Sequence, residues 1–122
     1  MTLRLKSLSA RVYRAPIETP VTTSFGIMRD RPMVLVEAED HDGVYGWGEV
    51  WCNFPQIGAE HRARLVDSVL APLATVRPFG GAEELFSQLR AATEVLAVVG
   101  DVLGRDAHAE LLRGLAAIHA AV

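Results

Sequence analysis

The chain has 122 residues, of which 50% are hydrophobic and 22% charged, with a formal net charge of −3. This length fits one domain with a buried core, and the weak negative charge predicts no binding to nucleic acid or to an anionic membrane surface. A single cysteine, Cys52, excludes an internal disulfide and favours a cytoplasmic location, and no apolar run reaches the ~18 residues that a membrane helix needs.

Alternating apolar residues predict a first β-strand from Leu3 to Arg14, with a bulge at Lys6-Ser7 where the alternation slips. Pro16 and Pro20 are expected to end this strand. A loop is then predicted from Ile17 to Arg31. Because it is long for a simple connection, we regard it as a candidate functional loop.

Two further strands are predicted around a tight turn. Met33 to Asp40 forms the second strand, Val44 to Val50 forms the third, and Asp42-Gly43 lies between them. An Asp-Gly pair between β-rich segments favours a hairpin, since glycine accepts the positive φ of such a turn. The third strand runs into an aromatic, turn-rich loop from Trp51 to Gly58.

The third strand has two different faces because side chains alternate along a strand. Tyr45, Trp47 and Glu49 share one face, whereas Gly46 and Gly48 share the other with valines on either side. Two glycines leave that second face bare, so another part of the molecule is expected to approach it closely.

Helices are predicted after the hairpin. The first spans Ala59 to Ala71 and is followed by Pro72; its apolar side carries Leu65, Val66, Val69 and Leu70, and its charged residues Glu60, Arg62, Arg64 and Asp67 are expected elsewhere. The second spans Ala82 to Thr93, with Glu83 and Glu84 in its first turn. A third is predicted over 96–103 and a fourth over 106–122. The expected fold is therefore α+β: a three-stranded antiparallel meander followed by a bundle of three or four helices.

Four short segments together resemble a known domain. They are Thr23-Ser24-Phe25-Gly26, Val34-Leu35-Val36, Asp42-Gly43 and Gly46-Trp47-Gly48-Glu49. In this order, the set resembles the N-terminal capping domain of the enolase superfamily, in the branch of the mandelate racemases and muconate lactonizing enzymes. The likeness covers nearly all of residues 1–122, which we treat as one domain, but only the first third of a complete enzyme of that kind.

The resemblance implies a reaction for the complete enzyme. Family members abstract a proton α to a carboxylate and stabilise the product on Mg²⁺, as racemases, dehydratases or cycloisomerases. Their metal ligands and bases lie on a (β/α) barrel, and no residue of this chain corresponds to them. We therefore expect no catalytic or metal-binding residue here, no activity of this chain alone, and a barrel domain as partner. The complete isomerase or lyase is expected to be a homo-oligomer acting on a small carboxylate.

The resemblance also implies a substrate lid made of two loops. The first would contribute Thr22, Ser24, Phe25, Ile27 and Met28, and the second would contribute Trp51, Asn53 and Phe54. Apolar side chains in these loops would exclude water from the reacting centre. The alternative is that Phe25, Trp51 and Phe54 simply fill the core beneath the loops.

Other candidate residues are better explained structurally. Arg29 and Arg31 are expected to be solvated loop charges, and Cys52 is expected to be a small apolar residue rather than a reactive thiol. The histidines are expected to be structural or surface groups: His41, His61, His108 and His119. Two alternative functions remain open, namely a stand-alone module that binds small carboxylates or self-assembles, and a non-functional truncated relic.

Overall fold

In a computed structural model, which describes residues 2–52, 55 and 57–94, the chain begins with a three-stranded antiparallel sheet. Strands β1 (Leu5–Thr23), β2 (Gly26–Asp40) and β3 (Tyr45–Val50) pair in the order β1-β2-β3. The predicted meander is confirmed. A register shift between Leu5 and Ser7 confirms the predicted bulge in the first strand.

The predicted loop from Ile17 to Arg31 is wrong. Most of it belongs to β1 and β2, which remain paired out to Thr23 and Gly26. Pro16 is tolerated because β1 is an edge strand, where a missing backbone N–H can face away from the ladder. A register shift between Pro16 and Val21 interrupts the pairing without ending the strand. The prolines therefore divide one long two-stranded ribbon into two parts.

The turn between β2 and β3 confirms the predicted role of glycine. Gly43 has φ of +83°, in the left-handed region that favours glycine. Asp40 holds the turn closed, because one of its carboxylate oxygens accepts the backbone N–H groups of Asp42 at 2.9 Å and Val44 at 2.8 Å. This side-chain capping was not predicted from the sequence.

The two faces of β3 differ as predicted. Gly46 and Val50 are buried on the core face, whereas Tyr45 and Trp47 are exposed on the other face. The core lies between this sheet and the helices. Its buried members come from every described strand and helix and include Leu8, Val34, Val36, Val50, Ala59, Ala63, Val66, Leu70, Leu85 and Leu89.

The first helical segment is longer than predicted. It comprises α1 (Gly58–Leu65), a π-helical turn (Val66–Leu70) and α2 (Ala71–Thr75). Pro72 lies inside this segment and not beyond its end. The π turn ends two residues before Pro72, with the N–H of Ala71 bonded to the carbonyl of Val66 five residues earlier. Such a turn lets a helix continue through a residue that has no N–H to donate.

The second predicted helix is confirmed as α3 (Ala82–Ala92). Glu83 and Glu84 occupy its first turn, and the Glu84 carboxylate accepts the backbone N–H of Gly80 at 2.6 Å. The helices predicted over 96–103 and 106–122 lie outside the described residues. Within the described part of the chain, no helix is long and apolar enough to span a bilayer.

Candidate functional site

The tip of the β1–β2 ribbon carries the first set of predicted site residues. Ser24 and Phe25 form the turn, and the Thr23 hydroxyl accepts the N–H of Phe25 at 3.2 Å while donating to the Gly26 carbonyl at 3.1 Å. Gly26 has φ of 142°. These bonds define the turn, and they leave the Phe25 side chain 80% exposed.

The remaining residues of this set lie on opposite faces of the ribbon. Thr22 and Ile27 are cross-strand partners, so their side chains lie on one face, and both are exposed. Met28 pairs with Val21 on the opposite face and is only 5% exposed. The structure therefore brings Thr22 and Ile27 together and turns Met28 away from them.

Trp51 belongs to the second predicted set and follows β3 directly. Its side chain is 47% exposed, and its ring centroid lies 5.8 Å from the guanidinium carbon of Arg62 on α1. This distance is within the range of a cation–π contact. Asn53 and Phe54 lie outside the described residues. Trp51 thus connects the end of the sheet with the first helix.

Arg62 is the residue that the sequence interpretation missed. We expected it away from the apolar side of the helix, but it is 6% exposed, and its buried Nε and Nη1 atoms have no hydrogen-bond acceptor among the described residues. The buried side of the helix begins at Ala59 and Ala63, which precede the Leu65–Leu70 cluster used for the prediction. The spacing of Ala59, Arg62, Ala63 and Val66 is the signal that would have placed Arg62 on this side.

Gly58 makes room for this guanidinium. A β-carbon at Gly58 would lie 2.8 Å from Nη1 of Arg62 and 3.6 Å from a side-chain carbon of Pro55. The first of these distances is shorter than real contacts allow. A glycine at this position therefore leaves the space that the Arg62 side chain occupies.

Cys52 is buried close enough to Arg62 to be affected by its charge. It is a buried free thiol, as expected for a small apolar residue. Burial raises the pKa of the Cys52 thiol, and the positive charge of Arg62 partly opposes that rise. The raised pKa favours the unreactive thiol over the nucleophilic thiolate.

A second arginine joins the sheet to α1 near this site. Arg14 of β1 bonds to the Glu60 carboxylate through Nη2 at 2.7 Å and through Nε at 3.0 Å, and to Asp30 of β2 at 3.0 Å. The Arg14 hydrogen bonds lower the pKa of Glu60, and those same bonds raise the pKa of Arg14. Arg29 and Arg31, on either side of Asp30, are exposed, as expected for solvated charges.

The described residues do not form a metal site. In residues 2–52, 55 and 57–94, no three His, Cys, Asp or Glu side chains lie together in a way that would hold an ion. His41 and His61 are both exposed. His108 and His119 lie outside the described residues. The described donors therefore do not fit the Mg²⁺ that the resemblance implies for the complete enzyme.

A family model describes most of this chain. Residues 7–98 match the model of the mandelate racemase / muconate lactonizing enzyme N-terminal domain. The chain belongs to this family. Apart from Leu5 and Lys6 at the start of β1, the strands and helices described above all lie within the matched region.

Solved structures and curated proteins agree with this assignment. A mandelate racemase/muconate lactonizing enzyme from Bordetella bronchiseptica RB50 is 44% identical with a TM-score of 0.80, covering 98% of this chain and 29% of that protein. An o-succinylbenzoate synthase from Geobacillus stearothermophilus is 34% identical over 97 residues, covering 74% of this chain and 26% of that enzyme. An enolase from Bradyrhizobium, solved with magnesium and mandelic acid, shares the fold at a TM-score of 0.62 and 19% identity, covering 79% of this chain and 26% of that protein.

The chain is thus much shorter than its relatives. It spans 26% of the Geobacillus enzyme and 29% of the Bordetella protein. The remaining length of these relatives lies outside the matched segment.

Proposed function

We propose that this chain is the lid domain of an enzyme that removes a proton next to a substrate carboxylate. The observation that carries this proposal is the position of Phe25, an 80% exposed aromatic side chain at the tip of a long ribbon. Ile27 and Trp51 are also apolar and exposed. Apolar side chains in such positions gain stability when another surface covers them, and a lid that covers a reacting centre excludes water from it.

The proposed partner is a (β/α) barrel that would supply the bases and the Mg²⁺ ligands. Two facts support this assignment: the relatives are three to four times longer than the matched segment, and the Bradyrhizobium protein holds magnesium and mandelic acid. The role of this chain would be to bind, orient and desolvate the substrate. Alone, it is expected to be inactive.

The proposed substrate is a small carboxylate, and the proposed reaction is a racemisation, dehydration or cycloisomerisation. The likeness to an o-succinylbenzoate synthase makes o-succinylbenzoate the first product to look for. In the lid, Thr22 and Ser24 would hydrogen-bond substrate hydroxyl groups, and Ile27 would pack beside Phe25. Met28 would support the ribbon tip from its opposite, buried face, and Asn53 and Phe54 would extend the surface that begins at Trp51. A cytoplasmic homo-oligomer is proposed for the complete enzyme.

The experiment joins this chain to a barrel. It would replace the corresponding N-terminal segment of the Bordetella protein, to which it is 44% identical. Exchange of the substrate α-proton for deuterium is then followed by NMR with magnesium present, using mandelate as the substrate. We expect exchange in the joined protein and none in the 122-residue chain alone.

Three variants test the lid itself. Phe25→Ala and Trp51→Ala should each reduce kcat/KM by about tenfold or more, because each removes an aromatic contact with the substrate. Tyr45→Ala is the control, since Tyr45 is an exposed aromatic residue on β3 away from both lid segments. Equal activity of all three variants would contradict the lid assignment, as would full activity of the barrel without this chain.

A further inference from the structure

The guanidinium of Arg62 is a buried charge without a counter-charge among the described residues. In the part of the chain that the structure describes, its Nε and Nη1 atoms have no hydrogen-bond acceptor, and the whole residue is 6% exposed. Burying an unpaired charge is unfavourable, so buried arginines are normally paired with an anion. A site that keeps such a charge is suited to an anion that arrives from outside the described residues.

The carboxylate nearest to Arg62 in the chain is paired with another arginine. Glu60, two residues away on the same helix, bonds instead to Arg14, which also bonds Asp30. Arg14 is therefore paired twice at the surface while Arg62 is left unpaired in the interior. Arg64, the third arginine in this region, is exposed and needs no partner.

The surroundings of Arg62 keep its guanidinium in place and leave it without an acceptor. Gly58 leaves space beside Nη1, since a β-carbon there would lie at 2.8 Å. The half-exposed ring of Trp51 lies over the guanidinium carbon at 5.8 Å. Cys52, the buried neighbour, is kept as a neutral thiol because burial raises its pKa. None of these groups neutralises the charge.

We propose that Arg62 binds a carboxylate group that enters beside Trp51. The planar guanidinium donates parallel hydrogen bonds to a carboxylate from Nε and Nη2 or from Nη1 and Nη2, so one carboxylate satisfies one of the two unpartnered atoms and neutralises the charge. The carboxylate belongs either to a small molecule or to an Asp or Glu side chain of the proposed barrel. Only the choice between these two sources rests on the proposed function.

The first experiment uses the 122-residue chain and sodium benzoate as the probe. The Nε–Hε signal of Arg62 is followed by NMR during the titration, with sodium chloride at equal ionic strength as the reference. We expect a saturable shift of this signal with benzoate and none with chloride. The absence of a saturable shift would overturn the proposal.

Three variants locate the bound carboxylate, with thermal unfolding in benzoate as the readout. Arg62→Met should abolish the increase in Tm, and it should still fold because it replaces an unpaired charge with an apolar chain of similar length. Gly58→Ala should weaken binding by about tenfold or more, since displacing the guanidinium removes a charge-assisted hydrogen bond. Arg64→Met, the exposed control on the same helix, should respond like the wild type. An equal increase in Arg62→Met would contradict the proposal.

The second experiment identifies the source of the carboxylate in the protein joined to the Bordetella barrel. If the source is a small molecule, benzoate will still shift the Arg62 signal. If it is a barrel side chain, the signal will already lie at its saturated position and benzoate will not move it. The first experiment needs no barrel and no turnover. Carboxylate binding at Arg62 can therefore be observed even if the lid function is wrong, and the lid function can be observed even if Arg62 binds no carboxylate.

Discussion

Arg14 of β1 and Glu60 of α1 form a two-oxygen ion pair, in which Nη2 of Arg14 lies 2.7 Å from each carboxylate oxygen of Glu60. The pair joins the edge strand of the sheet to the first helix. It therefore fixes α1, and the Arg62 site that α1 carries, relative to the long ribbon.

Glu60→Gln should lower the free energy of unfolding at pH 7 by about 0.5–1 kcal/mol, the range of a well-formed surface pair. Because the Glu60 side chain is 41% exposed, we do not expect more. The folded-state pKa of Glu60 is lowered from its usual 4.5, so its contribution is complete above that value and is lost as the pH falls through the folded-state pKa. Chemical denaturation from pH 7 to pH 3 measures this dependence.

The control for this prediction is Glu39→Gln, which breaks the single contact between Lys6 and Glu39 at 2.7 Å. Lys6 is more exposed than Arg14, so the loss should be smaller. A Glu60→Gln variant whose stability stayed parallel to that of the wild type across the acid range would show that the ion pair contributes nothing.

Arg62→Met should raise the pKa of the Cys52 thiol further. Burial is the main cause of the present rise, and the Arg62 charge opposes it. Removing that charge takes away the largest effect that opposes burial, so less thiolate forms at any given pH. The ultraviolet absorbance of the thiolate during a pH titration reports the change, and Arg64→Met is expected to leave it unaltered. A lower pKa in Arg62→Met would contradict the electrostatic account.

Gly43→Ala should destabilise the protein by about 1–2 kcal/mol, because alanine is strained at φ of +83°. A β-carbon at this position meets no other atom within 4 Å, so strain of the backbone is the sole cause. Gly43→Asn should cost less, since asparagine tolerates this region better. Thermal unfolding compares the two variants, and equal losses would point to a cause other than backbone conformation.

Asp67→Ala should destabilise the protein by about 1 kcal/mol. The Asp67 carboxylate of the π turn accepts the backbone N–H of Ala10 at 2.8 Å, on the open side of edge strand β1. Asp67→Asn keeps an acceptor oxygen and should retain most of the stability. Ser68→Ala, at an exposed neighbouring position, should change the unfolding free energy by less than about 0.5 kcal/mol. Equal losses in Asp67→Ala and Asp67→Asn would show that this hydrogen bond is not the cause.

Local patterns predicted the parts of this fold that local physics decides. The Asp42-Gly43 pair identified a turn because few residues accept a positive φ, and the alternation along β3 identified its two faces. The length of the ribbon was underestimated because it depends on tertiary structure. Pro16 disrupts a central strand but not an edge strand, and the sequence does not reveal which strand lies at the edge.

The candidate site was only partly predictable. Phe25 and Trp51 were identified through the family resemblance, and both are exposed. Arg62 was missed because charged residues are expected on the solvent side of a helix, and its burial depends on Trp51 and Gly58, which reach it only in the folded chain. A pattern based on residue polarity assigns every arginine to the solvent side of a helix, so it cannot identify one that is buried.

The register shift between Pro16 and Val21 separates two parts of the same pair of strands. On one side of it, Val34 and Val36 are fully buried in the core; on the other, Phe25 and Ile27 are exposed to solvent. Substitutions at Phe25 or Ile27 would therefore change the proposed lid surface without changing the residues buried in the core. Such an arrangement would allow substrate specificity to change during evolution while the free energy of unfolding of the domain stays the same.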